Sequence, residues 1–227
     1  MSSVAPARYR IGASIELHDL LALPPDGNRY TRTTEGELAL MSPDDWTRHG
    51  YPVITLTSLF NRLLSRPYHV LQERAMVFEK VYDLSGRVLP ESFLGPKALE
   101  PDHAVFDRAP EFVTGPHGLT FVRTGGLRLL VEVLSEGTWR SDLGVGGSDG
   151  IDKMRTYLEA GVPEYWILNP SVDPGSCRVP VRSGRFLARS AGASRWEEIP
   201  VERGVVRSRS IPTVSIDLEA FWRDCCL

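Results

Sequence analysis

The sequence lacks several features that would place it in a special class of protein. The three cysteines, Cys177, Cys225 and Cys226, form neither a metal-ligand spacing nor an even-numbered disulfide framework. No apolar run reaches the roughly 20 residues that a membrane-spanning helix needs. The first ten residues lack the basic start and apolar core of a secretory signal. These absences argue against a membrane protein and a disulfide-stapled secreted protein, so we expect a cytoplasmic protein.

A large excess of charge of one sign is also missing. The net charge is -3, whereas nucleic-acid-binding domains usually carry a visible basic excess. Basic residues are nevertheless concentrated towards the C-terminus, where residues 174–210 contain eight arginines and three glutamates. This segment is either a solvated sheet edge or a face that contacts phosphates. In the second case Arg178, Arg182 and Arg185 are the candidate phosphate contacts.

The composition is that of an ordinary globular chain. Hydrophobic residues make up 42% and charged residues 24% of the 227 residues, and a chain of this length can bury one full core. We find no internal repeat. We therefore predict a single domain over residues 1–227, with a core at about 28–170 and an extension of antiparallel strands at about 171–227.

The segment from Leu127 to Pro170 organises the rest of the chain. It begins with the apolar run LRLLVEVL, typical of a buried strand, and this run contains one carboxylate, Glu132. A helical pattern that starts near Ile151 and carries Lys153 follows, and the strand-like run YWIL follows that. This order predicts an α/β protein with a mixed central sheet flanked by helices. Because an isolated buried carboxylate is costly, Glu132 must be protonated, paired with a cation or bound to a metal.

A second acid is expected next to Glu132. Pro101 can only begin a strand, so Asp102 should stand at the start of a strand over residues 102–107. Residues 111–124 form a connection to the strand that carries Glu132, and the two strands can pair as a long-looped antiparallel hairpin. This pairing would bring Asp102 and Glu132 together as oxygen ligands for Mg²⁺ or Mn²⁺. A lysine two residues after Glu132 would lie on the same face of the same strand, but that position is Leu134. The strand therefore cannot supply the cationic side chain there, and the helix that carries Lys153 is expected to supply it.

The remaining segments are predicted from their periodicity and turn residues. Residues 16–23 read as a short helix, Tyr30 to Met41 as one strand carrying a further acid, Glu37, and the residues from Pro52 onwards as a helix. His49 just precedes this helix. Residues 69–81 read as one or two strands, and short strands with a final short helix follow Pro170.

Two acids and a lysine around one point suffice for metal-assisted phosphodiester hydrolysis. The motifs that carry them resemble the Uma2 family, which belongs to the PD-(D/E)xK nucleases. The matching motifs are Pro101-Asp102, the VEVLS at residues 131–135, Lys153 with Tyr157, the AGVPEYWI at residues 160–167, GEL at 36–38 and MSP at 41–43.

The resemblance implies a restriction-endonuclease-like fold and a Mg²⁺-dependent DNA endonuclease. It implies that Asp102 and Glu132 hold the metal and that Lys153 acts as the catalytic base or as a stabiliser. We add Glu37 as a catalytic candidate, His49 and Tyr157 as auxiliary candidates, and a homodimer as the assembly suited to cutting both strands.

Other interpretations stay open at this point. The chain has Thr31 where the family usually carries an acid, and a Gly-rich insertion precedes Lys153. Both departures favour a catalytically weak or inactive module for DNA or protein binding. The glycines at 144–150 could also cradle a phosphate, although the segment lacks the GK[ST] ending of a P-loop. Glu132 could be simply salt-bridged, Lys153 could be a solvated helix charge, and His49 and Tyr157 could serve capping or packing.

Overall fold

The computed structural model describes residues 14, 30–32, 38–40, 43–89, 98–114, 120–135, 138–145, 150–171 and 179–225. The chain divides into two compact units, Met1–Trp46 and Thr47–Leu227, and each is described separately. The helix predicted at residues 16–23 and the acid Glu37 lie outside the described residues. The single-domain organisation stays a prediction.

The first unit contains a two-stranded antiparallel pair. Strand β1 (Tyr30–Arg32) pairs with β2 (Leu38–Leu40), with Tyr30 opposite Leu40. The prediction of one strand from Tyr30 to Met41 was therefore wrong. The antiparallel pairing means that the chain reverses its direction between β1 and β2.

The second unit contains most of the described elements. Helix α1 (Pro43–Leu63) begins within the first unit and continues into the second. The other helices are α2 (Trp139–Leu143), α3 (Lys153–Glu159) and α4 (Leu218–Asp224). The strands are β3 (His69–Gln72), β4 (Met76–Val77), β5 (Ala98–Leu99), β6 (His103–Phe106), β7 (Phe112–Thr114), β8 (Thr120–Arg123), β9 (Leu127–Val133), β10 (Glu164–Asn169), β11 (Ser183–Ala188), β12 (Glu197–Glu198), β13 (Val205–Arg207) and β14 (Ser215–Asp217).

Six strands form the central sheet, in the order β12-β11-β10-β9-β6-β3. Strands β9 and β10 are parallel, and every other pair in this sheet is antiparallel. Parallel neighbours need a crossover connection, and α2 and α3 lie within it. The prediction of an α/β protein with a mixed central sheet, helices and C-terminal antiparallel strands is confirmed.

The central sheet has an apolar core on each face. One core contains Leu130 and Leu134 of the β9 segment together with Tyr157 of α3 and Tyr165 of β10. The other core contains Val131 and Val133 with residues of α1, β14 and α4. Alternation along β9 therefore places Glu132 on the face that α3 covers.

Helix α1 begins earlier than the sequence predicted. Its apolar residues Val53, Leu56 and Phe60 recur at helical spacing and are buried, as expected. The helix nevertheless starts at Pro43, so Pro52 lies in its interior and His49 lies within the helix rather than before it. Pro52 cannot donate a hydrogen bond to the carbonyl of residue 48, a defect that usually ends a helix. Burial of the apolar face offsets this cost.

Residues 111–124 hold two strands, although we predicted only a connection. Strands β7 and β8 pair with each other, and β8 also lies parallel to β4 in a four-stranded sheet of order β5-β4-β8-β7. The predicted antiparallel pairing of the two acid-bearing segments is confirmed, because β6 and β9 are direct neighbours. Among the residues that the structure describes, no helix has the length and apolar character to cross a membrane.

Candidate active site

Asp102 directly precedes β6, and Glu132 lies in the neighbouring strand β9. The first residue of β6, His103, pairs with Val131, the residue before Glu132. Asp102 and Glu132 are both buried, with 7% and 3% of their residue surface exposed. The charge of Asp102 is one of the causes that raise the pKa of Glu132, so the two predicted acids lie in the same buried part of the structure.

Asp102 is held by partners on both of its oxygens. The backbone N–H of Val133 donates to Oδ2 at 2.6 Å, and Nε2 of His49 lies 3.1 Å from Oδ1. Burial acts to raise the pKa of Asp102, but the hydrogen bond and charge of His49, the Val133 amide and the charge of Lys153 together lower it. Burial likewise acts to lower the pKa of His49, and Asp102 raises it above the ordinary value. Asp102 is therefore held as a carboxylate.

Lys153 is the first residue of α3, and its ammonium lies between two carboxyl groups. Its Nζ is 3.0 Å from Oε1 of Glu132 and 2.7 Å from Oδ1 of Asp142. Only 13% of the side chain is exposed. The predicted helix-borne cation thus faces the acids rather than bulk solvent.

The start of α3 is fixed by a neighbouring segment. The backbone N–H of Asp152 donates to the carbonyl of Tyr82 at 2.8 Å, and the N–H of Tyr82 donates to Oγ1 of Thr156 at 3.1 Å. The N–H of Leu84 donates to the carbonyl of Gly150 at 3.1 Å. Asp152 also caps α3, because its Oδ1 accepts from the N–H of Arg155. These bonds fix the position of Lys153.

Tyr157 follows Lys153 by one helical turn and reaches the same acid. Its hydroxyl donates to Oε1 of Glu132 at 2.7 Å, while its ring packs against Phe78 and Tyr165. Burial, with the charge of Glu132, raises the pKa of Tyr157 well above its usual value. The hydroxyl is therefore protonated at neutral pH and donates a hydrogen bond.

Asp142 is the site residue that our sequence analysis missed. It lies in α2 and is fully buried, and Oγ1 of Thr138 donates to its Oδ2 at 2.8 Å. A signal was present in the sequence, because Asp142 is three residues after Trp139 and directly before Leu143. These two residues are buried, so an acid on the same face of a short helix needed a partner.

The site contains three acids and two basic groups. Glu132 and Asp142 contact the Lys153 ammonium, and Asp102 contacts His49. Burial, above all, raises the pKa of Glu132 to about 8 and also raises that of Asp142. Burial acts to lower the pKa of Lys153, but the two adjacent carboxyl groups raise it above its ordinary value. Lys153 is therefore an ammonium.

The donor set fits a hard divalent cation. Asp102 and Glu132 offer carboxylate oxygens, which Mg²⁺ and Mn²⁺ prefer, and Mg²⁺ is commonly bound through one or two carboxylates while water fills its other positions. Within the described ranges no group of three or more His, Cys, Asp or Glu residues could hold a metal ion. Two acids lie within the one or two carboxylates through which Mg²⁺ is commonly bound.

The structure does not bring the other candidates to this cluster. Arg178 lies outside the described residues. Arg182 is exposed at a turn with a φ of 52°, and Nε of Arg185 lies 2.9 Å from Oε1 of Glu198. Their roles as phosphate contacts stay predictions.

A mixed α/β sheet with two acids on adjacent strands and a lysine from the next helix is the arrangement expected of nuclease-like proteins. The family model of Uma2, described as "Putative restriction endonuclease", matches residues 17–219. The chain therefore belongs to the Uma2 family, and the predicted family is confirmed.

Two further comparisons were made. A solved structure from Anabaena variabilis, titled as a putative nuclease belonging to DUF820, is 14% identical to this chain, with a TM-score of 0.46. The alignment covers 93% of this chain and 99% of the other. A search of curated proteins found no match.

Proposed function

We propose that the protein is a DNA endonuclease that hydrolyses phosphodiester bonds with a bound Mg²⁺ or Mn²⁺. The observation that carries this proposal is the convergence of Asp102, Glu132 and Lys153, with Lys153 Nζ at 3.0 Å from Glu132. Family membership supports a nuclease-like function. The choice of DNA and of a divalent cation is the proposal.

Asp102 and Glu132 are the residues that would hold the cation. A bound divalent cation supplies positive charge that polarises the phosphate and makes a water molecule more acidic. His49 and the Val133 amide hold Asp102 in one orientation, and Tyr157 does the same for Glu132.

Lys153 acts as a charged stabiliser rather than as a base. Two carboxyl groups lie within 3.0 Å of its ammonium and oppose the loss of its proton. A fixed ammonium at this place offsets the negative charge that develops on a phosphate during hydrolysis. The sequence left both roles open, and the contacts of Lys153 favour the stabiliser.

The decisive experiment is plasmid cleavage with purified protein and Mg²⁺ or Mn²⁺. We expect nicking or linearisation that EDTA stops, and a loss of at least about a hundredfold in Glu132→Gln, as for removal of an essential electrostatic group. Glu159→Gln is the matched control, because Glu159 is an exposed glutamate on the helix that carries Lys153. Cleavage that is absent, or that persists undiminished in Glu132→Gln, would refute the proposal.

A second candidate is a DNA- or protein-binding module without catalysis. It is favoured by the closed geometry of the cluster, in which Lys153 and Tyr157 both engage Oε1 of Glu132. Salt-dependent retention of DNA without cleavage, unchanged by Lys153→Ala, would support this candidate over the first. Light scattering of the same sample tests the predicted homodimer.

A further inference from the structure

Asp142 is the acid of the site that the proposed mechanism uses only as a neighbour of Lys153. Its Oδ1 lies 2.7 Å from Lys153 Nζ, and its Oδ2 accepts the hydrogen bond from Thr138. Both oxygens are thus engaged by the protein, and the residue is fully buried. Asp142 therefore acts on the site through Lys153 and not by touching a substrate.

The elements around Asp142 hold it rigidly. The hydroxyl of Tyr165 in β10 donates to the backbone carbonyl of Asp142 at 3.0 Å. Thr138 is the N-cap residue of α2, yet its hydroxyl makes no cap hydrogen bond and instead donates to Asp142. At the other end of α2, Gly144 has a φ of +60°, and a Cβ there would lie 2.8 Å from Oδ1 of Asp152. The end of α2 thus packs directly on the start of α3.

The contact between Asp142 and Lys153 affects the repulsion between the Lys153 ammonium and a cation bound at Glu132. If Glu132 holds a divalent cation, the Lys153 ammonium at 3.0 Å shares a carboxylate with that cation. Two positive charges that share one carboxylate repel each other strongly in a site shielded from water. A second carboxylate on the ammonium reduces this repulsion and keeps the lysine in place.

We propose that Asp142 is a positioning residue, which holds the Lys153 ammonium beside Glu132 and offsets its repulsion from a cation bound there. The part that concerns the cation rests on the proposed function. The contact between Asp142 and Lys153 does not depend on it.

The first test is a double-mutant cycle in the cleavage assay. Asp142→Asn keeps the shape and removes the charge, and we expect kcat to fall about tenfold to a hundredfold with KM for DNA unchanged, the usual effect of losing a supporting charged partner. In the Lys153→Met background the same substitution should cause no further loss, since the two residues act as one unit. Additive losses, or a rise in KM alone, would overturn the proposal.

A second test does not need activity. Reductive methylation with formaldehyde and cyanoborohydride, mapped by peptide mass spectrometry, reports how firmly each lysine ammonium is held. Loss of a charged partner should raise the modification rate of Lys153 about tenfold in Asp142→Asn. Exposed Lys80 is the internal reference. An unchanged rate at Lys153 would overturn the proposed contact.

The cleavage assay and the methylation rate of Lys153 together distinguish failure of the nuclease proposal from failure of the proposed Asp142–Lys153 contact. Faster methylation of Lys153 in a protein that cuts no DNA would refute the nuclease and keep Asp142 as the partner of Lys153. If Asp142→Asn does not fold, Thr138→Val removes only the hydroxyl that holds Asp142, and Thr138→Ser retains it. We expect the valine variant to reproduce part of the rise in methylation and the serine variant to behave as wild type. No rise in methylation in the valine variant, or an equal rise in the serine variant, would count against the proposal.

Discussion

At the scale of single residues, the site depends on a carboxyl group in a strand whose neighbours are apolar. Glu132 is 3% exposed, between Val131 and Val133 in β9. Its desolvation is offset by an ammonium and a phenol hydroxyl that both engage Oε1. Removing one partner of a buried charged group leaves the other partner uncompensated, which is why such partners are costly to delete.

Tyr157→Phe tests this network in the absence of any substrate. The substitution keeps the ring packing on Phe78 and Tyr165 and removes only the hydroxyl. We expect a loss of about 1–2 kcal/mol in the free energy of unfolding, the usual cost of a buried hydrogen bond to a polar or charged partner. Urea unfolding followed by circular dichroism measures it. Tyr51→Phe, at an exposed position, should have no effect, and an equal loss in both variants would contradict the assignment.

The sequence could predict Glu132 but not the full set of its partners. An acid in an apolar run demands compensation wherever the chain folds, so Glu132 and its need for a cation could be predicted from the local pattern. Asp142 becomes a partner only because α2 turns back onto α3. The residues between these helices are glycine-rich and carry no periodicity that fixes such a return.

At the scale of elements, the position of α3 is set by the segment that precedes β5. The turn at residues 82–87 bonds to the start of α3 through backbone groups, and Asp83 organises that turn. Asp83 accepts from the Ser85 hydroxyl at 2.6 Å, and from the backbone N–H of Arg87 at 2.8 Å and its Nε at 2.9 Å. The Ser85 hydroxyl, together with Arg87, lowers the pKa of Asp83 to about 2.

This shift predicts a pH-dependent contribution of Asp83 to stability. Because the pKa is lower in the folded than in the unfolded chain, the contribution is fully present above the unfolded value near 4 and is lost as the pH falls through about 2. Asp83→Asn should therefore be less stable than wild type at neutral pH, and the difference should vanish towards pH 2. Urea midpoints from pH 2 to pH 7 test this. A difference that stays constant with pH would show that the charge of Asp83 contributes nothing.

The sequence predicted the elements around the site better than those at a distance from it. Strands β9 and β10 and helix α3 follow from strong periodicity and from Gly161, which ends the helix with a φ of +80°. Helix α1 was predicted too short because Pro52 is a local stop signal, which tertiary packing overrides. Strands β7 and β8 were missed because each is short and their sheet forms with β4, a partner distant in sequence.

At the scale of the whole molecule, three of the arginines near the C-terminus have glutamate partners. Arg185 pairs with Glu198, Arg209 with Glu197 at 3.1 Å, and Arg207 lies 3.9 Å from Glu202. Exposed ion pairs of this kind contribute little to stability. They do reduce the positive field that this face presents to a nucleic acid.

This pairing predicts which arginine affects DNA binding. Each phosphate contact adds a slope of about -0.9 to the dependence of log K on log salt concentration. Arg182→Gln should reduce the slope by about one contact, since Arg182 is exposed. Arg185→Gln should change the slope little, because Glu198 already engages that guanidinium. Fluorescence anisotropy with a labelled duplex at several salt concentrations measures both slopes, and a larger effect of Arg185 would contradict this interpretation.

Leu134 stands where a lysine on the same strand as Glu132 would otherwise lie, so the acids and the amine belong to different parts of the chain. Hydrogen bonds from residues 82 and 84 hold the start of the amine-bearing helix. The place of the amine beside the acids is therefore determined jointly by α3 and by a turn that precedes both acids in the chain.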